Sequence, residues 1–255
     1  MGRAQMIGTL SWAKESGGRV NFVESLSEVR RGVGLQLWVW GNAAKRKFGF
    51  GNTEKIALRE VELPETAIAR ETERLCRQVS TPWLVNHCLR TYVWGELFAA
   101  RDGISHDREL LYCAALLHDL GITEAYPTPP GDCFALAGAR AASDFLRSRG
   151  LDEKKAQAAA EAIALHLNVK VGIESGPEAH LLSLGVGLDV IGLRIHELPE
   201  DAVQAVLMRH PRVGMKREVI AVLKAQAKQS PKTRIALLCR HLQFISRVRR
   251  APFAE

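Results

Sequence analysis

The sequence predicts an all-α protein: an irregular multi-helix bundle with a poorly defined N-terminal extension. Three observations carry this. Apolar residues recur at helical spacing from residue 64 onward, without the alternation of a strand. The breaks between apolar runs hold helix start and stop residues, among them Thr81-Pro82, Asp107, Gly150, Asp152 and Ser230-Pro231. The first 60 or so residues behave differently: they are rich in glycine (Gly17, Gly18, Gly32, Gly34, Gly41, Gly49, Gly51) and poor in helical periodicity. The chain is therefore read as an extension over 1–60 followed by a helical domain over 61–250.

Within the extension, Leu35 to Trp40 reads as a short strand, because it ends at Gly41-Asn42, a turn signal. Trp38 and Trp40 are candidates to anchor it to the main domain. Pro64 then opens a helix that runs to about Val79. Thr81 is a suitable N-cap with Pro82 at the first helical position, opening a helix to about Ala100. Asp107 caps a helix that ends at His118-Asp119. Phe134 to Arg149 is helical and stops at Gly150; Asp152 starts a helix through His166. Pro177 opens one through about Gly192, and Leu198-Pro199 starts one that ends before Pro211. Two more follow, at about 214–229 and 232–248.

Composition narrows the function classes. The chain has 255 residues, 47% apolar and 25% charged, enough for a sizeable core. Its net charge of +7 favours anionic partners only weakly. The basic residues are dispersed, apart from Lys45-Arg46-Lys47 and the stretch Arg247 to Arg250, and no basic stripe is interleaved with aromatics. A nucleic-acid partner is not expected. The five cysteines, Cys76, Cys88, Cys113, Cys133 and Cys239, are odd in number and form no CxxC pair. They read as buried free thiols in a reducing compartment. No signal-peptide core and no apolar run of roughly 18 residues is present, so the expected location is the cytoplasm, with no membrane partner.

The pair His118-Asp119 is the sharpest anomaly. It follows the apolar run Leu110 to Leu117 and precedes Gly121. Polar side chains at the bottom of a buried stretch are costly unless they are used. Asp119 would also face the negative end of a helix dipole, which is unfavourable without a cation. Two further polar residues sit in apolar helical settings: His87, and Asp189 with Val186 at i−3 and Leu182 at i−7 on its own face. Two imidazoles and two carboxylates suit one divalent ion: zinc, manganese or iron(II). Singly, such a His reads as a hydrogen-bonded core residue and such an Asp as a buried cap or ion-pair partner; four together favour a metal site.

The order His87, His118-Asp119, Asp189 on separate helices resembles the HD-domain superfamily of metal-dependent hydrolases over about residues 64–245, and it makes 61–250 an HD-type metal-binding domain. The segments Val85-Asn86-His87-Cys88-Leu89-Arg90-Thr91-Tyr92, Leu117-His118-Asp119-Leu120-Gly121-Ile122-Thr123, Ala162-Ile163-Ala164-Leu165-His166 and Leu188-Asp189-Val190-Ile191-Gly192 look like the cyanamide-hydratase-like branch. The resemblance implies a mononuclear site, zinc in this branch, ligated by His87, His118, Asp119 and Asp189, with an open position for water. Such an ion lowers the pKa of its water toward ~7.

Many phosphohydrolases of the superfamily carry Lys or Glu three residues after the motif Asp. Here that residue is Ile122, which can neither hold a phosphate nor act as an acid. The expected chemistry is thus addition of water to a small molecule such as a cyanamide or nitrile. A nucleotide or phosphate-ester phosphohydrolase and a non-catalytic helical module with a structural metal stay open. By resemblance His166 is the substrate-contacting base, or else a histidine bonded to backbone. Arg90, at i+3 from His87, orients Asp119, binds an anion or makes an ordinary ion pair. Thr123 contacts substrate or caps the next turn, and Asp119 doubles as general base. His180 is nine residues before Asp189, on the opposite helix face, and is not expected to ligate. Ala135 stands where relatives often have an acid, which points to a less polar pocket. The expected partner is a small-molecule substrate; a homo-oligomer stays open.

Overall fold

The computed structural model describes residues 6–47 and 61–254, with side chains of 38–40 and 42–47 left aside. Among the described residues there are twelve α-helices and no strand. In chain order they are α1 (Leu10–Ser16), α2 (Phe22–Lys47), α3 (Ala67–Val79), α4 (Pro82–Asp102), α5 (Arg108–Leu117) and α6 (Phe134–Ser148). Then come α7 (Glu153–Leu165), α8 (Pro177–Ile191), α9 (Glu200–Arg209), α10 (Met215–Gln229), α11 (Arg234–His241) and α12 (Phe244–Arg249). None of the described helices is long and apolar enough to cross a membrane.

Local chemistry sets these ends. Asp107 accepts a hydrogen bond from the Leu110 amide at 3.1 Å, and Asp152 accepts from those of Lys154 and Lys155. Thr81 occupies the N-cap of α4 with Pro82 behind it, but its hydroxyl makes no capping bond. Among the described residues, single 3-10 turns at Leu120–Ile122, Ile173–Ser175 and Ile195–Glu197 join helices. The helix expected over 232–248 is broken in two, because Gln243 adopts φ 52°, a left-handed conformation that ends α11 and re-aims α12.

Helix α4 is the centre. From Leu84 to Ala99 all but one residue are buried, as expected of a helix apolar on every side. It packs on α5 and α8, while α6 and α7 pair with each other and α10 lies against α11 and α12. Two glycines permit the closest approaches. A Cβ on Gly185 would come within 2.2 Å of the Thr91 carbonyl oxygen, so α8 crosses α4 in backbone contact. A Cβ on Gly121 would come within 2.2 Å of the Phe134 carbonyl oxygen, so the turn after Asp119 lies flush on the start of α6. The buried Cys76, Cys88, Cys113 and Cys133 and the half-buried Cys239 are free thiols.

The extension differs from its sequence reading. The strand expected at Leu35 to Trp40 is helical, within α2. The reason is a second periodicity: Ser25, Glu28, Gly32 and Leu35 recur at three or four residues and form the covered face. A Cβ on Gly32 would lie 2.5 Å from Leu242 Cδ2, which shows how closely α2 lies on the domain. The side chains of Trp38 and Trp40 lie outside the described residues, as does the boundary expected at residue 60. Ahead of α1, the Ile7 carbonyl accepts from Asn168 Nδ2 at 2.6 Å, and the Leu10 amide donates to Glu161 at 3.0 Å.

Candidate metal centre

Two helix ends and one helix interior build the centre. His118 caps the C-terminus of α5 and His166 that of α7. Each turns Nδ1 back onto the carbonyl three residues earlier, His118 on Ala115 at 2.8 Å and His166 on Ile163 at 2.6 Å. Helix termini leave such carbonyls without partners, so an imidazole there is useful locally. A carbonyl only accepts, so Nδ1 carries the proton in both rings and Nε2 points onward as a bare lone pair. His87, inside α4, does the same with a carboxylate: its Nδ1 donates to Asp189 Oδ2 at 2.7 Å.

The bare nitrogens of His87 and His118 then meet at 3.2 Å. Asp119 Oδ2 completes a triangle, 3.3 Å from His118 Nε2 and 3.6 Å from His87 Nε2. Tetrahedral coordination at about 2.1 Å separates ligand atoms by about 3.4 Å, so the three edges suit one divalent ion. Two lone pairs facing each other beside a carboxylate also repel unless a cation lies between them. Among the described residues His87, His118 and Asp119 form the group able to hold a metal. His166 stands to one side, with Nε2 3.8 Å from Asp119 Oδ1.

Electrostatics agree with the geometry. Burial opposes charge on Asp119, yet His118, His87 and His166 hold its carboxyl well below the usual carboxylate range. Burial also opposes charge on His118, but Asp119 outweighs it and raises the His118 pKa. Burial lowers that of His87 against the pull of Asp189. Burial, then the neighbouring His118, push His166 down to about 3, so its ring is neutral near pH 7.

The structure does not bring Asp189 into the converging triangle. Both its oxygens are taken. Oδ1 accepts from Arg90 Nε at 2.7 Å, Trp94 Nε1 at 2.8 Å and Arg212 at 3.2 Å. Oδ2 accepts from His87 and from the second prong of Arg90 at 3.0 Å. Burial opposes this charge too, but Arg90 and His87 hold the carboxyl far below its ordinary value. Arg90 therefore engages Asp189 rather than Asp119, through a two-pronged ion pair at zero exposure. Thr123 is buried and donates to the Leu120 carbonyl at 2.7 Å, which turns it away from the triangle. His180 bonds the Val171 carbonyl at 2.7 Å. Ala135 is fully buried, and it is Phe134 that reaches the pocket.

Two contributors were not read from sequence. Trp94 lies at i+4 from Arg90 and i+7 from His87, one helix face, so spacing could have found it. Arg212 comes from the loop after Pro211 and has no periodic signal.

Above the triangle lies a pocket of about 60 Å3 walled by Trp83, Ile122, Phe134, Val186, Val190 and Phe244, among others. Among the described residues its titratable lining is His87, His118, Asp119 and His166, with no Lys or Arg. A buried three-donor group under an apolar pocket in an all-α domain defines a class: helical proteins with a group able to hold a divalent ion. Residues 84–185 match the family model described as HD domain. HD domains bind divalent metals, in keeping with the His87, His118 and Asp119 group. No curated protein matches the chain.

Proposed function

We propose that this chain is a metal-dependent hydrolase or hydratase of the cyanamide-hydratase-like branch, adding water to a small molecule whose reacting group is uncharged and nitrile-like. The observation that carries the reading is that, among the described residues, no Lys or Arg lines the pocket over the donor triangle, where Ile122 forms part of the wall. A phosphate at that position would find no cationic side chain. An uncharged nitrile or cyanamide carbon loses little on entering such walls.

His87, His118 and Asp119 would hold the ion, zinc suiting their separations and donor types. When bound, it supplies a hydroxide nucleophile at neutral pH and polarises the bond under attack. Asp189 acts at one remove: it fixes the tautomer and aim of His87, and Arg90, Trp94 and Arg212 fix Asp189. His166 keeps Nε2 bare toward Asp119 and the pocket. Water oxygen adds to the nitrile carbon, and both water protons pass in turn through His166 Nε2 or Asp119 to the nitrile nitrogen, the second as the imidic acid becomes the amide. The product is the amide, or urea from cyanamide.

The test is ammonia, amide or urea formation from cyanamide and small nitriles by zinc-, manganese- or iron-loaded protein, run beside phosphate release from a nucleotide panel. Turnover of the first group, lost in Asp119→Ala, supports the reading. Phosphate release without any hydration overturns it.

A further inference from the structure

A second cavity adjoins the site. It measures about 90 Å3, and His166, Leu167, Val186, Val190 and Phe244 line both it and the pocket over the triangle. Its far wall is built by Gly32 and Leu35 of α2, Leu238 and Leu242 at the end of α11, and Arg247 of α12. The extension thus closes one end of the substrate space. Most of this lining is apolar, and among the described residues no Asp or Glu is part of it. Of its polar members, Asn168 is already engaged, donating to the Ile7 carbonyl and accepting from Arg234.

Arg247 is the exception to the apolar lining. It is half-buried, and its Nε donates to the Leu242 carbonyl at 3.0 Å. Its two terminal nitrogens have no hydrogen bond or ion pair among the described residues. A guanidinium held by Nε alone keeps a two-nitrogen edge for a partner, and a carboxylate is the anion whose two oxygens match that edge. Apolar walls around it strengthen such a pair relative to water. The two cavities together are comparable to the roughly 150 Å3 apolar cavity that accommodates benzene.

We infer that the substrate is an elongated molecule with its uncharged reacting group at the His87, His118 and Asp119 end, an apolar body of about six carbons past His166 and under α2, and a carboxylate on Arg247. The reacting end rests on the hydrolase reading. The carboxylate subsite does not, because neither Arg247 nor α2 touches the donor triangle. In this arrangement the apolar body excludes water from the pocket, and the distal ion pair sets which way round the molecule enters.

Calorimetric titration of the full chain with octanoate and with octanamide, before and after metal removal, tests this. The expected result is binding of octanoate about tenfold or more tighter than octanamide in both states. Arg247→Gln removes that preference while octanamide still binds, and Arg247→Lys restores part of it. Leu35→Trp, which fills the second cavity, weakens both ligands and moves the best chain length below eight carbons. Equal affinity for acid and amide, or no binding of either, overturns the inference. A preference for octanoate that survives Arg247→Gln also overturns it, because the carboxylate then sits elsewhere. Failure of the purified chain to take up zinc, manganese or iron(II) on equilibration, with the Arg247-dependent preference intact, sinks the hydrolase reading and leaves the subsite standing.

Discussion

Single side chains divide the work at this centre by which atom each has free. His87, His118 and His166 all commit Nδ1 and leave Nε2, and Asp189 has nothing left to give a metal once Arg90, Trp94, Arg212 and His87 are counted. Replacing Asp189 by Asn should therefore act twice. Metal affinity falls on the order of 10- to 100-fold as His87 loses its orienting partner. The metal-free protein also loses about 3–5 kcal/mol, read by urea unfolding, because two buried arginines lose their countercharge. His166→Ala should keep its metal, read by elemental analysis, while turnover falls by roughly 10²- to 10⁴-fold. One histidine away from the centre gives a pH signature. His106 donates to Glu96 at 2.7 Å, and that bond, against burial, raises its pKa in the fold. A raised histidine contributes stability that is complete below the unfolded value of about 6.5 and is lost as pH rises through the folded value. Urea unfolding of the wild type should thus show a loss of stability as pH rises from about 6.5 through the higher folded value, a loss that His106→Gln does not show. The triangle was legible in sequence because His87, His118 and Asp119 stand out against apolar neighbours. The clamp on Asp189 was not, because Arg212 arrives from a loop and nothing periodic announces it.

Elements place these atoms through backbone contact rather than side-chain bulk. The turn Leu120–Ile122 carries Asp119 into position by lying on α6, with room at Gly121 for no side chain at all. Gly121→Ala should cost about 1–3 kcal/mol by overpacking against backbone that cannot swing away. It should also weaken metal binding by displacing Asp119; unchanged metal affinity in a destabilised variant would separate the two effects. Most helices were readable from caps and 3.6-residue spacing, since α3 to α10 bury one stripe or are buried throughout. Two features were not. The run Leu-Gln-Leu-Trp-Val-Trp alternates like a strand, and only the wider spacing of Ser25, Glu28, Gly32 and Leu35 shows the helix that tertiary packing selects. The break at Gln243 has no Gly or Pro to mark it; a left-handed residue there divides a run whose apolar pattern continues without interruption.

Across the whole molecule, the centre joins α4, α5 and α7 with the turn that follows α5, and α8 braces it through Asp189. An ion bound there by three of these parts should therefore stabilise the entire fold. At a free concentration a thousandfold above its Kd it adds about 4 kcal/mol. For a chain of this size that is a fall of about 10 °C in Tm on chelation, read by calorimetry and reversed by zinc. The extension participates as well, since α2 supplies Gly32 and Leu35 to the cavity beside His166. The hydrolase reading depends on whether the three converging atoms hold a metal. Elemental analysis of the purified full chain beside His118→Ala decides this most directly: one divalent ion per wild-type chain and none retained by the variant is the expected result, and equal metal content in the two, or none in the wild type after equilibration with zinc, manganese and iron(II), would contradict it.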